Sequence, residues 1–250
     1  MNNYSIRLLG ASTAAIAFSV INISVANAAA DGANFNVSGS FTKGVALTTD
    51  YRFRGISRTF GDPAIQGFAE FNFPNNFYIG TKASTIDKQV IPDNRGIEWD
   101  INGGYRFELD NGLKFDVGMI QYIFWGQSSL ATLEGYGGVT WEFLSLKYSH
   151  ALSNKFFGSP DGRGSAYIDL GGKYPIGSGF HAFAHYGIQK ISSSSADYSD
   201  YSFGVEKEWY GANWTAGMYG TDSKLNAIAV NGRVRNLGAR GLVLTVSKSF

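Results

Sequence analysis

The sequence lacks several features, and each absence excludes a class of protein. It has no cysteine, so disulfide bonds and thiolate metal sites are excluded. Without Arg7, which lies in the N-terminal segment, 20 of the 21 Lys and Arg remain against 20 Asp and Glu. This balance leaves no basic surplus to attract nucleic acid. After Ala28 no apolar run reaches the roughly 20 residues that a membrane-spanning helix needs.

Proline is also scarce, whereas glycine and aromatic residues are abundant. The chain has 5 Pro, 32 Gly and an aromatic content of 15%. Many Gly and aromatic residues with little Pro are typical of a chain of many strands joined by tight turns. The absence of a spanning helix does not argue against a membrane β-barrel, whose signal in each strand is much weaker.

Residues 1–28 have the pattern of a secretory signal peptide. Arg7 supplies an early positive charge, and an apolar and small-residue stretch runs from Leu8 to Val25. Ala26-Asn27-Ala28 then matches the A-x-A cleavage pattern. We place cleavage after Ala28, with Ala30 as the alternative. An uncleaved anchor helix fits less well because the apolar stretch is short and interrupted by polar residues.

Residues 29–250 show a period-two alternation of apolar and polar residues, which predicts strands. Ile97 to Phe107 is the clearest example, with Trp99 and Ile101 alternating with Glu98 and Asp100. We predict about twelve strands. They run Lys43 to Arg54, Ala64 to Phe73, Phe77 to Ser84, Ile97 to Phe107, Leu113 to Phe124, Leu133 to Trp141, Leu144 to Ser149, Ala166 to Tyr174, Phe180 to Ile188, Tyr201 to Trp209, Asn213 to Tyr219 and a last strand ending at Phe250.

The predicted connections alternate between short and long. Asp110-Asn111-Gly112 is a tight turn, whereas His150 to Gly164 is a long polar segment. This asymmetry is typical of outer-membrane barrels, which have short periplasmic turns and long external loops. The fold class is therefore an all-β transmembrane antiparallel barrel. Fourteen strands result if a hairpin at Asn231-Gly232 enters the bilayer, and ten if Leu144 to Ser149 and its neighbour do not.

Charged residues share one face of nearly every strand, and bulky apolar residues share the other. About twelve strands enclose an interior too wide to fill with apolar side chains alone, so we place the charges in the lumen. The predicted pore-lining residues are Asp50, Arg52, Arg54, Glu70, Lys82, Glu98, Asp100, Arg106, Lys114, Asp116, Glu134, Lys147, Asp169, Lys173 and Glu206. Aromatic pairs at strand ends, among them Tyr51 and Phe53, and Phe124 and Trp125, resemble the girdles at membrane interfaces.

Three functions are compatible with this charge pattern or have to be compared with it. A charge-lined pore would pass small hydrophilic solutes or ions. A closed, salt-bridged barrel would instead act through its external loops on a ligand or partner. An outer-membrane lipid hydrolase would need a Ser–His pair, but Ser149 and His150 are adjacent on a strand and face opposite sides. His181 and His185 share a face but lie more than ~13 Å apart, too far for one metal ion.

The segment Thr48-Thr49-Asp50-Tyr51-Arg52-Phe53-Arg54-Gly55-Ile56-Ser57, followed by Pro63-Ala64-Ile65-Gln66-Gly67, resembles the opening signature of the TorF family of proposed porins in proteobacteria. The chain end, Val246 to Phe250, is similar to that family's C-terminus. The resemblance covers about Val37 to Phe250. It implies an outer-membrane barrel with a pore role, and it carries no substrate and no catalytic residues.

We expect a porin without enzymatic activity in the outer membrane of a Gram-negative bacterium. We expect it to bind no cofactor, metal or nucleic acid. Its partners would be outer-membrane lipid and lipopolysaccharide. The barrel-assembly machinery would recognise the last strand, which ends in Phe250.

Overall fold

The computed structural model describes residues 39–88, 96–192, 196–223, 226–228 and 234–250. The predicted signal peptide, the Ala28 cleavage site and Asn231-Gly232 lie outside the described residues. No helix in the described part of the chain has the length and apolar character needed to span a membrane.

Sixteen strands and one short 3₁₀ helix, Ser128–Leu130, make up the described elements. The strands are β1 Ser40–Thr48, β2 Arg52–Phe53, β3 Ile56–Ser57, β4 Ala64–Asn72, β5 Phe77–Thr85, β6 Ile97–Glu108, β7 Lys114–Phe124, β8 Thr132–Trp141, β9 Leu144–Ala151, β10 Ala166–Gly177, β11 Phe180–Lys190, β12 Tyr198–Trp209, β13 Ala212–Thr221, β14 Asn226–Ile228, β15 Val234–Asn236 and β16 Gly241–Ser249.

Twelve of these strands form one closed antiparallel barrel. Neighbouring strands follow one another around the wall, and β16 pairs with β1 to close it. Leu144–Ala151 is one wall strand, which excludes the ten-strand alternative. The flanks of the predicted Asn231-Gly232 hairpin pair with each other as β14 and β15 and form a separate two-stranded sheet. The predicted twelve-stranded fold is thus confirmed.

Apolar side chains point outward along the wall strands, and polar side chains point into the lumen. On β6, Trp99 and Ile101 are exposed on the outside, whereas Glu98 and Asp100 point inward and are buried. Leu47, Ile65, Met119 and Phe203 are more than half exposed on other strands. A soluble barrel would bury this apolar face, so the arrangement matches the sequence-based prediction.

The two ends of the barrel differ, and they are named here by their connections. The short-turn end has tight turns, including the one with positive φ at Ser178 and Gly179. The long-loop end carries the long connections, among them residues 49–63 and 152–165.

One strand prediction is wrong in a way that matters for function. The strand predicted from Lys43 to Arg54 ends at Thr48. Residues 49–63, called here the inward segment, connect β1 to β4. Their central part folds into the lumen, where each of residues 50–60 is buried. Tyr51 and Phe53, predicted to face outward as girdle residues, are instead 3% and 0% exposed inside the barrel.

Candidate functional site

The candidate site is the lumen, and the inward segment narrows its long-loop half. The segment is built around a hairpin in which Phe53 pairs with Ile56. Arg54 (φ 43°) and Gly55 (φ 81°) form its two-residue turn with positive φ at both positions. A turn of this kind matches the twist of the flanking strands and favours glycine at the second position. The Arg-Gly pair therefore sets the tip of the inward segment.

Asp50 organises the base of the inward segment. Its Oδ2 accepts a hydrogen bond from Arg52 Nε at 2.5 Å, and its Oδ1 accepts from Ser57 Oγ at 2.6 Å and Thr59 Oγ1 at 3.0 Å. Arg52 Nη1 also donates to the carbonyl of Leu237 at 2.9 Å. One carboxylate thus holds both arms of the hairpin, and the arginine ties them to the last long connection.

Arg54 reaches the opposite wall of the barrel. Its guanidinium donates to Glu134 Oε2 on β8 at 2.9 Å and to Gln189 Oε1 on β11 at 2.6 Å. It also stacks over the Tyr167 ring on β10 at 3.9 Å. Burial opposes the arginine's charge, but Glu134 outweighs it and raises the pKa of Arg54 above its usual value. A charged crosslink therefore spans the lumen.

Both arms of the inward segment also contact β5 and β6. Tyr51 Oη donates to Glu98 Oε1 at 2.7 Å, and Arg58 Nε lies 3.6 Å from Glu98 Oε2. Lys82 Nζ lies 4.6 Å from the centre of the Tyr51 ring. Burial, assisted by Glu98 and Asp100, raises the pKa of Tyr51 well above its usual value. Tyr51 therefore stays neutral and acts as a donor.

An aromatic cluster covers the inward segment from the long-loop side. Phe157, in the connection between β9 and β10, packs against Phe53 and Tyr122 with ring centres 5.4 and 5.1 Å apart. Phe156 and Phe124 complete the cluster. Phe124 was predicted to pair with Trp125 in a girdle, but it points inward. The alternating pattern did not indicate this core, although Phe156-Phe157 in a mostly polar loop is the signal that could have indicated it.

The short-turn half of the lumen is polar and accessible to water. Arg106 Nη1 and Nη2 donate to Glu70 at 2.6 and 2.9 Å, and Arg106 Nε lies 3.4 Å from Asp116. The Arg106 and Asp116 side chains are 36% and 37% exposed, whereas Arg54 and Glu134 are 2% and 1% exposed. Arg106 stacks over Tyr78, and Lys147 lies over Tyr136. The short-turn half of the lumen therefore carries both positive and negative side chains, and two of its cations stack on aromatic rings.

A histidine network lies on the wall next to Arg54. His185 Nδ1 lies 2.8 Å from Asp169 Oδ1, and its Nε2 lies 2.9 Å from Asp200 Oδ1. Tyr167 Oη donates to Asp200 Oδ2 at 2.9 Å. The network holds β10, β11 and β12 together on the lumen side.

The predicted pore-lining residues fall into three groups. Asp50, Arg52 and Arg54 lie on the inward segment and not on a wall strand. Lys82, Glu98, Asp100, Glu134 and Asp169 point inward beneath or beside it. The others point inward nearer the short-turn end, where Lys173 pairs with Glu206 and Lys114 with Glu108. Their role in solute passage stays a prediction.

The positions of Ser149 and His150 do not support the hydrolase alternative. Ser149 points into the lumen and is buried, whereas His150 is on the other face, where its Nδ1 lies 3.0 Å from Tyr148 Oη.

The fold and lumen define a porin-like barrel, and solved structures share its architecture. The "KdgM porin" aligns over 84% of this chain and 99% of its own, with a TM-score of 0.54 and 9% identity. The NanC porin aligns over 83% and 98%, with a TM-score of 0.50 and 11% identity. At such identities the likeness shows the fold alone. No curated protein sequence matches the chain.

A family model described as "Bacterial protein of unknown function (Gcw_chp)" matches residues 32–250. The match covers the whole barrel, and the chain belongs to this family.

Proposed function

We propose that the protein is an outer-membrane channel of the porin type, constricted by its own inward segment, which passes small hydrophilic solutes or ions. The observation that carries the proposal is the contrast inside the lumen. Its short-turn half is charged and partly accessible to water, with Arg106 and Asp116 about one-third exposed, and its long-loop half is narrowed by residues 50–60. A charged, wetted interior is what distinguishes pores from packed barrels.

The membrane location is part of the same proposal. The outward apolar face supports it, because exposed apolar area of this extent is covered by lipid or protein in nature. We assign the long-loop end to the cell exterior and the short-turn end to the periplasm, as in outer-membrane barrels generally. The resemblance to the TorF family and the predicted signal peptide agree with this placement.

The proposed partners follow from the location. Lipid and lipopolysaccharide would cover the outer face. The barrel-assembly machinery would engage β16, whose outward residues Leu242, Leu244 and Val246 precede the terminal Phe250. No enzymatic role is proposed.

A closed barrel that acts through its long-loop end is the second candidate. The observation that favours it is the burial of Arg54 and Glu134, which join the tip of the inward segment to the far wall. In that case the barrel would present a fixed surface at the long-loop end and would conduct nothing.

Solute uptake separates the two candidates. Liposomes that contain the refolded barrel should swell in isotonic solutions of small sugars, at a rate that falls as the sugar becomes larger. Liposomes without protein and liposomes with heat-denatured protein are the controls. Absence of swelling for every solute, with a correctly folded barrel, would contradict the channel and support the closed barrel.

A further inference from the structure

An apolar groove of about 900 Å³ runs across the outer surface of the barrel. Its course follows one line of paired residues. Lys207 on β12 is opposite Trp214, which is opposite Val246 on β16. Val246 is opposite Leu47, and Leu47 is opposite Ile65 on β4. All these residues line the groove, which continues to Thr85 on β5. It therefore crosses six adjacent strands.

The dimensions of the groove suit a lipid chain. Five steps between strands at ~4.8 Å give a length of about 24 Å. Because barrel strands are tilted by ~35–45°, a line across them rises by about 15 Å along the barrel axis. This rise is about half of the ~30 Å hydrocarbon core, and it takes the groove to Pro63 and Thr49 at the long-loop edge of β1 and β4. One end of the groove lies near the short-turn end, next to Trp209 and Phe180.

Three outward lysines lie near the short-turn end of this sector of the wall. Lys207 lies 4.4 Å from the centre of the Phe180 ring, and Lys248 lies 5.6 Å from that of Phe250. Lys43, near the start of β1, exchanges backbone hydrogen bonds with Phe250. The ion pairs found among the described residues include none of these lysines. The outward positions of β1, β12, β13 and β16 carry no Asp or Glu.

We propose that this sector binds an anionic glycerophospholipid of the leaflet at the short-turn end, with its phosphate between Lys207 and Lys248, with Lys43 adding positive charge beside the headgroup, and with an acyl chain in the groove. The positive charges face outward at the headgroup level, where a lysine attracts anionic lipid and aromatic rings favour the interface. The inference rests on the proposed membrane location but not on conduction.

Native mass spectrometry of the detergent-solubilised barrel tests the site. The barrel is mixed with equal amounts of phosphatidylglycerol and phosphatidylcholine that carry identical acyl chains. We expect about tenfold more of the anionic lipid to stay bound, since each lysine near a headgroup contributes substantially. The triple variant Lys43→Gln, Lys207→Gln, Lys248→Gln should lose this preference. Lys114→Gln, at the same end but inside the lumen, should keep it.

Two further measurements define the ligand. Ala216→Phe would fill the groove, which Ala216 lines, and should reduce retention of both lipids. Inorganic phosphate tested alone should not displace the lipid. No preference in the wild type, an unchanged preference in the triple variant, or displacement by phosphate would each overturn the site. The conductance of the same preparation distinguishes the two proposals. Conductance without a lipid preference would contradict only the lipid site. A lipid preference without conductance would contradict only the channel.

Discussion

Arg54 joins the tip of the inward segment to the opposite wall of the barrel. It forms an ion pair with Glu134 in which neither side chain reaches solvent. Removing one partner of such a pair leaves a buried charge without compensation. A pair that reaches solvent contributes much less. The contrast between the Arg54–Glu134 pair and the exposed Lys114–Glu108 pair therefore provides a test within one barrel.

Arg54→Ala should lower the free energy of unfolding by about 3–5 kcal/mol, because Glu134 is left buried. Lys114→Ala, at the pair with Glu108 in which both side chains are more than half exposed, should cost about 1 kcal/mol or less. The double variant Arg54→Met, Glu134→Leu should recover most of the loss. Urea unfolding in lipid vesicles, followed by tryptophan fluorescence, measures all three. Equal losses in the two single variants would contradict the assignment.

Gly187 sets how closely the histidine network can assemble. A Cβ at this position would overlap the Tyr167 hydroxyl and the Asp200 carboxylate, which are hydrogen-bonded to each other. Overpacking of this kind typically costs about 1–3 kcal/mol.

Gly187→Ala should therefore destabilise the barrel by about 1–3 kcal/mol and separate His185 from Asp200. Gly67→Ala is the matched control, because its added Cβ would meet only the Gly44 carbonyl at 3.9 Å. Urea unfolding gives the stability, and the imidazole NMR signals of His185 report on the network. A Gly187→Ala barrel as stable as the wild type, with unchanged signals, would be inconsistent with this packing.

At the scale of elements, alternation predicted the wall strands well and the inward segment badly. Ile97 to Phe107 was predicted nearly to its ends because lipid on one side and water on the other impose a period of two. The same alternation continues through Asp50, Tyr51, Arg52 and Phe53, but there it places side chains on a hairpin inside the barrel. The period-two alternation alone could not predict that this hairpin lies in the lumen, because contacts with distant residues such as Glu134 and Phe157 determine its position.

The connection between β9 and β10 should hold the inward segment in place through Phe157. Phe157→Ala removes a buried ring from between Phe53 and Tyr122, a change that typically costs about 3–5 kcal/mol. Amide hydrogen exchange of residues 50–60 should become faster, whereas exchange in β6 and β7 should change little. Phe143→Ala, an exposed ring in a short turn, is the control. Unchanged protection of residues 50–60 would show that the connection does not hold the segment.

At the scale of the whole molecule, the barrel is closed by the pairing of its first and last strands. Phe250 N donates to the Lys43 carbonyl at 2.8 Å, and the Phe250 side chain is 52% exposed on the outside. The side chain thus adds little to packing within the barrel, and the proposed role in assembly would account for an aromatic residue there.

Phe250→Ala should leave the refolded barrel about as stable as the wild type, because the backbone hydrogen bonds are kept. Its yield in cellular membranes should fall several-fold if the assembly machinery recognises the ring. Trp214→Ala, another exposed aromatic residue near the short-turn end, is the control. A normal cellular yield of Phe250→Ala would remove this role.

The central claim is that a charge-lined channel is constricted by residues 50–60. Single-channel recording in planar bilayers tests it most directly, with the wild type compared to a variant in which residues 51–60 are replaced by a short Gly-Ser linker between β1 and β4. The account predicts discrete steps for both proteins, several-fold larger in the variant. Steps of equal size, or no steps from either folded barrel, would contradict it.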